Sequence, residues 1–417
     1  MAFRNVGSAG ALLRQRRAIS LGLRTRRGLG APLDHQAEGM GRFVTMRASS
    51  LLAATLSLAF LTGAPMPRGR MTATAAPGVT QPHCSRVSLT PRPAWLSDAM
   101  WLPGPGKILA VDAAMERLVA YSPDGKGTIV PEPAGEQPVL LAASGGRILL
   151  ELIGRDVVRL DGELGDRKAS SFLKHVATPL GPLGTVNQWT AVDGSVVVFG
   201  QVVGRKVRPV WRSGLFRIST TDGSHQAELL LKVQSGDYYI LGYRYLTSLG
   251  RTAFFLDMDH GVAKLFAVRP GARPRELKGA VPPEIRDVPP IDASMPGPAD
   301  APALFAALAR LKLAAGIYGG PVGSLYLLGR EPKPRGGTDW WLFRIDAETG
   351  ALAGKALLPT RAQHLSIVTS AESFYLIERG PVNPYGGQEI DTMVAVPVTL
   401  LEQAAPEGTE VCTALRR

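Results

Sequence analysis

Residues 109–129, Leu109-Ala-Val-Asp-Ala-Ala-Met-Glu-Arg-Leu-Val-Ala-Tyr-Ser-Pro-Asp-Gly-Lys-Gly-Thr-Ile129, decide the fold class of this chain. An apolar run ends in Asp112, a second run begins at Arg117 and reaches Tyr121, and Asp124-Gly125 follows. Two short runs of this kind, bounded by polar and turn residues, are strands rather than helices. The Asp-Gly pair marks a hairpin turn, because glycine adopts positive φ without steric cost.

Outward from this stretch the pattern recurs. The first run has counterparts starting at Gly106, Gly146, Gly194, Gly250, Gly323 and Glu372. They are spaced roughly 40–55 residues apart, with one longer gap before the fifth, as repeat architectures are. The second run recurs at Arg117–Gly125, Asp156–Gly162, Gly214–Gly223, Lys264–Gly271, Trp341–Gly350 and Thr392–Pro397. Several of these alternate apolar and polar residues near Arg, as a strand with one wet face does. Residues 95–102, 138–143 and 364–369 read as inner strands, and 128–131 and 226–233 as outer ones. Six strand–turn–strand units of this length predict an all-β chain, a β-propeller of six four-stranded blades.

Residues 109–129 also resemble one NHL-type repeat, with Asp112, Arg117, Tyr121 and Asp124-Gly125 at its acidic, basic, aromatic and Asp-Gly positions. The resemblance implies a six-bladed propeller of the NHL-like or TolB-like class across residues 84–401. It fades in the other blades and implies no particular activity.

A propeller must join its last blade to its first. Few residues follow Leu400, whereas 84–91 alternate well and can supply the outer strand of blade 6. That would bring Cys84 beside the tail that carries Cys412, the only other cysteine. In an oxidising compartment such a pair forms a disulfide, the alternative being two free thiols. The long gap predicts an insert at 281–316 between blades 4 and 5. Val281 to Pro298 is Pro-rich and reads as irregular, because proline cannot donate to a ladder. A helix follows, with Asp300 as cap, Pro302 in its first turn and Gly316 as a stop. Leu304, Phe305, Leu308 and Leu311 share one face of it. They are either packed on the rim or a lid over one mouth of the channel.

The formal charge of +12 suggests nucleic acid, but its location argues otherwise. Residues 1–80 hold 11 Arg against Asp34 and Glu38, a net of +9. The body therefore lacks the basic footprint of a nucleic-acid binder. The leader, 1–75, contains the apolar run Ser50–Gly63 behind Arg42 and Arg47. That run is shorter than the ~20 residues of a membrane span and suits a secretory signal, with Ala73-Thr-Ala75 as cleavage site. Met40 or Met46 would serve as start, leaving 1–39 or 1–45 untranslated. An Arg-rich transit peptide in 1–33 is the rival reading. The expectation is a periplasmic or extracellular monomer with residues 76–417 as a single propeller domain and no membrane span.

Candidate chemistry lies in the acids that follow the first runs. Asp112, Asp257 and Glu378 stand six or seven residues after their motif starts, with Glu151, Asp259, Asn187 and His260 also available. Oxygen donors of this kind suit Ca²⁺ in the axial channel. Each acid equally suits a turn cap. His260 beside Asp259 is either a base or part of a polar hairpin, and His364 reads as structural. Trp340-Trp341 and Asp237-Tyr-Tyr239 read as packing residues. Nucleophile-elbow, zincin and phosphate-loop motifs are absent from the sequence. No catalytic residue is assigned. The function expected is a binding or scaffold module for a protein, peptide or glycan. The alternative is a metal-dependent, lactonase-like hydrolase.

Overall fold

The computed structural model describes residues 83–416, apart from 132–137, 145–146, 153–154, 163, 166, 204–210, 222, 234–242, 259–260, 289–300, 335 and 382–387. The leader lies outside the described residues. Six antiparallel sheets follow one another along the chain. Blade 1 comprises Leu96–Leu102, Lys107–Asp112, Arg117–Tyr121 and Gly127–Val130. Blade 2 comprises Pro138–Ser144, Arg147–Leu152, Val157–Leu160 and Arg167–Ser170. Blade 3 has Gly181–Val192, Ser195–Val203, Trp211–Ser219 and Ala227–Val233, with the short strand Ala177–Thr178 beside the first. Blade 4 is Leu246–Leu249, Thr252–Asp257, Lys264–Val268 and Arg275–Glu276. Blade 5 is Leu313–Gly319, Ser324–Pro332, Thr338–Asp346 and Leu352–Leu357. Blade 6 is His364–Thr369, Ser373–Arg379 and Thr392–Pro397.

Each inner strand contacts those of its two neighbours, and blade 6 contacts blade 1. The chain is a six-bladed β-propeller. Its repeated first runs are the second strands of the blades. They are apolar at successive positions because a blade is covered on both faces by its neighbours: Ile108, Leu109, Ala110 and Val111 are all buried. The same geometry corrects the expectation of a wet face on the third strands. Leu118, Val119, Ala120 and Tyr121 are buried on both sides. The apolar core therefore lies in the seams between blades, and no single sheet can bury its own faces.

The ring closes as the alternation of residues 84–91 predicts. Ser85–Ser88 pairs antiparallel with Thr392–Pro397, with Ser85 opposite Ala395, and becomes the outer strand of blade 6. The chain then passes to blade 1, where Thr90 N donates to Gly125 O (2.9 Å) and Gly127 N donates to Thr90 O (2.6 Å). Gly125 has φ +85°, and a Cβ there would collide with the Ser88 carbonyl. Glycine is thus required twice, by the turn and by the close approach of the closing strand.

Cys84 and Cys412 are disulfide-bonded across 328 residues, with Cα atoms 5.9 Å apart. In the chain-entropy picture a loop of this size is worth roughly 6 kcal/mol. The tail is also tied by Thr409–Glu410, which runs parallel to Ala356–Leu357 at the outer edge of blade 5. Arg416 pairs with Asp339 and Glu410.

The insert departs from expectation at two points. A helical turn, α1 (Pro283–Arg286), occurs where the prolines suggested irregular chain. Proline is tolerated there because the first helical N–H has no partner to lose. The second helix, α2 (Ala301–Leu308), stops well before Gly316. Arg330 terminates it by donating to the carbonyls of Leu308 (3.1 Å) and Ala309. Gly316 instead lies within the inner strand of blade 5, at φ +153°, where the pairing register shifts. Asp300 is outside the described residues, as are the side chains of Leu304 and Phe305. Among the described residues no helix is long and apolar enough to cross a membrane.

Candidate functional site

At the axis the six inner strands enclose a cavity of about 100 Å³. Its polar lining comes from Ser97 and Asp98 (blade 1), Asn187 and Gln188 (blade 3), Arg244 (entering blade 4), Tyr318 (blade 5) and Ser366 (blade 6). Leu140 of blade 2 lines its apolar side together with Leu96, Trp189, Leu246 and Ile367. The pairing register of the inner strands shifts between Leu96 and Asp98, Pro138 and Leu140, Val186 and Gln188, and Ala314 and Gly316. Such irregularities re-aim side chains relative to a regular pleat. They explain how polar residues reach the axis from strands whose other positions build the core.

Asp98 and Arg244 form an ion pair across the channel between opposite blades, their side chains 14% and 29% exposed. Asp98 Oδ1 also accepts the Ala99 N–H (2.9 Å), and its Oδ2 accepts the Leu141 N–H (2.9 Å). Arg244 Nη2 additionally donates to the Ala99 carbonyl (3.0 Å). Gln188 is committed in the same manner. Its Oε1 accepts the N–H groups of Tyr245 (2.7 Å) and Leu246 (3.0 Å), and its Nε2 donates to the Tyr243 carbonyl. Burial pushes the Tyr318 phenol well above its ordinary range, so it stays protonated as a donor. Ser366 Oγ accepts Arg379 Nη1 at 3.1 Å.

Arg379 belongs to a buried polar knot beside the cavity. It is 2% exposed and its Nε donates to Gln388 Oε1 (2.9 Å). Arg330 of blade 5 is fully buried and lies over the Trp340 ring, 5.9 Å from its centroid. Tyr243 packs edge-on to Trp340 at 6.0 Å, and its hydroxyl is 3.3 Å from His364 Nδ1. Burial, followed by the charges of Arg379 and Arg330, pushes His364 down to about 2. The imidazole is therefore neutral at neutral pH, in keeping with a structural role.

The acids proposed for a metal are placed elsewhere. Asp112 Oδ2 pairs with Arg117 Nε (3.1 Å), and its Oδ1 accepts the N–H groups of Ala94 and Trp95 (both 3.1 Å). Glu378 pairs with Arg86 of the closing strand (2.9 Å) and accepts the Thr392 hydroxyl. Asp257 is buried at the end of its strand, in register with Lys264. These three belong to blades 1, 6 and 4, and none lines the axial cavity. Glu151 is buried in blade 2, and Asp259 and His260 are outside the described residues. Among the described sequence candidates Asn187 is the one that reaches the cavity. Among the described residues no three His, Cys, Asp or Glu lie together as metal ligands. Of the insert's apolar face, Leu308 is fully buried in the core and Leu311 packs partly against it.

The sequence reading passed over Asp98, Arg244, Gln188, Tyr318 and Ser366. The available signal was a lone charged residue inside an apolar inner strand, Asp98 in Leu96-Ser-Asp-Ala-Met-Trp-Leu102, and Arg244 between two tyrosines.

No family model matches the chain, and no curated protein is significantly similar to it. Among solved structures, a gluconolactonase from Xanthomonas campestris overlaps with a TM-score of 0.44 at 14% identity, covering 75% of this chain and 90% of that one. Virginiamycin B lyase from Staphylococcus aureus overlaps at 0.38, 12% identity, 75% and 99% coverage. YCF48 bound to a D1 peptide overlaps at 0.37, 12% identity, 76% and 86% coverage. Enzymes and a peptide binder thus stand side by side, and overlaps this loose carry neither activity nor ligand to this chain.

Proposed function

We propose that this chain is an exported binding propeller that engages a protein or peptide partner by admitting one side chain or chain end to the axial cavity. The observation that carries the reading is the cavity itself. All six blades contribute to it, and its principal polar groups are braced by backbone hydrogen bonds from neighbouring strands. Such bracing pre-organises a receptor, which lowers the ordering cost of binding. The volume of about 100 Å³ is below the ~300–1,000 Å³ of pockets that engulf whole small ligands. It suits a single functional group presented by a larger partner. Helix α2 is proposed as the rim element beside it. If α2 also serves as a lid, Leu308 stays seated in the core and the motion is confined to the part before it.

The reading is tested with a displayed peptide library and a cavity-filled variant. Peptides enriched on the parent protein should be lost on Leu140→Trp, whose folding is checked by near-ultraviolet circular dichroism. No enrichment, or enrichment indifferent to Leu140→Trp, would overturn it. Stoichiometric Ca²⁺ in the purified protein together with lactone hydrolysis would transfer the assignment to the hydrolase.

A further inference from the structure

We infer that the group admitted to the axial cavity is a carboxylate, presented by an acidic side chain or by a C-terminus. The inference rests on the partner-binding reading above and names the chemistry of that site. Its basis is the balance of donors and acceptors at the axis. The carboxylate and the braced amide are already occupied as acceptors: Asp98 receives the N–H groups of Ala99 and Leu141 together with Arg244, and Gln188 Oε1 receives two backbone N–H groups, while Asn187 carries an amide that can donate or accept. The donors retain capacity. Arg244 commits only Nη2 to described partners, which leaves Nε and Nη1 of its fork. Ser366 Oγ accepts from Arg379, which leaves its own hydrogen to donate into the cavity it lines. The protonated Tyr318 hydroxyl is a further donor in the lining.

Charge points the same way. Arg379 stands directly behind Ser366, and Arg330 belongs to the same buried knot. Neither is ion-paired with a described carboxylate: Arg379 is held by Gln388 and Ser366, and Arg330 by backbone carbonyls. Among the described lining residues Asp98, already paired with Arg244, is the one carboxylate. Buried cations beside the channel with no carboxylate partner among the described residues favour an anionic guest and oppose a cationic one. A guanidinium fork with free N–H groups is the usual receptor for a carboxylate.

The test is calorimetric titration of the full chain, at constant ionic strength, with three probes. These are Ac-Gly-Gly-Glu-Gly-Gly-NH₂, its Gln analogue, and Ac-Gly-Gly-Gly-Gly with a free C-terminus. The Glu peptide or the free-acid peptide should bind at least about tenfold more tightly than the Gln analogue, and whichever does identifies the source of the carboxylate. Arg244→Gln should abolish that preference, and Arg244→Lys should keep part of it. Asp98→Asn should strengthen binding several-fold by removing the internal competitor for Arg244. Equal binding of all three probes, or a preference untouched in Arg244→Gln, would overturn the inference. If library peptides depend on an open cavity but show no acid preference, the carboxylate inference fails and the binding reading stands. If acid binding depends on Arg244 while no peptide responds to Leu140→Trp, the inference stands and the peptide-partner reading fails.

Discussion

Blades 1 and 2 each carry an acid near the end of the second strand, Asp112 at its last position and Glu151 one before the last, and treat it in opposite ways. In blade 1 the pairing register sets Arg117 directly across from Asp112, and the ion pair forms within one hairpin. Two backbone N–H groups complete the coordination of the carboxylate. In blade 2 the residue across from Glu151 is Val157. The nearby Arg155 turns away, at φ +68°, and spends its guanidinium on the Leu183 and Gly184 carbonyls of blade 3. Glu151 is left 5% exposed, with Oε2 lacking a partner among the described residues. Burial pushes its carboxyl up to about 8, against a smaller opposing effect of Arg155. An acid near the end of the second strand is a staple in one blade and a buried acid in the next: Asp112 ends its strand opposite Arg117, whereas Glu151 lies one residue short of the end, opposite Val157.

The largest effect is expected from removing the staple. Asp112→Ala leaves Arg117 unpaired and two N–H groups without an acceptor, and should cost about 3 kcal/mol or more in urea denaturation. A loss below about 1 kcal/mol would put Asp112 on a par with an exposed ion pair and erase the contrast. Glu151→Gln should act in the opposite direction. A carboxyl raised from 4.5 to about 8 contributes stability that is complete below pH 4.5 and lost as pH rises through about 8. The variant should therefore be more stable than its parent by on the order of 2–4 kcal/mol at pH 8, and close to it at pH 4. Comparing variant and parent at each pH cancels the contribution of His364, whose lowered value costs stability below about pH 6.5. A difference independent of pH would show that Glu151 is not a buried neutral acid.

A smaller change follows from Arg155→Met. It orphans two carbonyls between blades 2 and 3 and should cost about 1–2 kcal/mol in the same assay. It should also raise the pH at which the gain from Glu151→Gln levels off, and enlarge that gain, because the charge opposing the burial of Glu151 is gone, while the onset near pH 4.5 is unchanged. The smallest effect is expected from Arg117→Lys. Lysine keeps a charge opposite Asp112 but loses the bond from Arg117 Nη2 to the Arg92 carbonyl (3.2 Å), a loss of about 1 kcal/mol or less.

Much of the fold was legible beforehand because its signals are local. Short apolar runs with Asp-Gly or Thr-Gly turns identify hairpins wherever they occur, and their recurrence identifies blades. Even the closing strand announced itself, since 84–91 alternate where blade 6 runs out of chain. The insert was harder. Its helix ends at Leu308 because Arg330, beyond an intervening strand, caps it, and no nearby residue carries that information. The site was the least legible part. The repeat drew attention to Asp112, Asp257 and Glu378, whereas the cavity is built from Asp98, Arg244, Tyr318 and Ser366, one from each of four blades. Those residues share no motif, and for Asp98 and Tyr318 a register shift in or before the residue's place in the inner strand sets which face it takes.

Read alone, the chain determined that there are six hairpin-based sheets, that they circle, and that Cys84 and Cys412 belong together. Hydrophobic periodicity and turn chemistry act over a few residues, and chain length limits how the ends can meet. Only the tertiary structure decided which polar groups share the axis and which already hold partners. That depends on pairing register and on contacts between opposite blades, such as Asp98 with Arg244, which lie 146 positions apart. Nothing in the neighbourhood of either residue encodes the other, so the donor-rich character of the channel emerges only when the ring is closed.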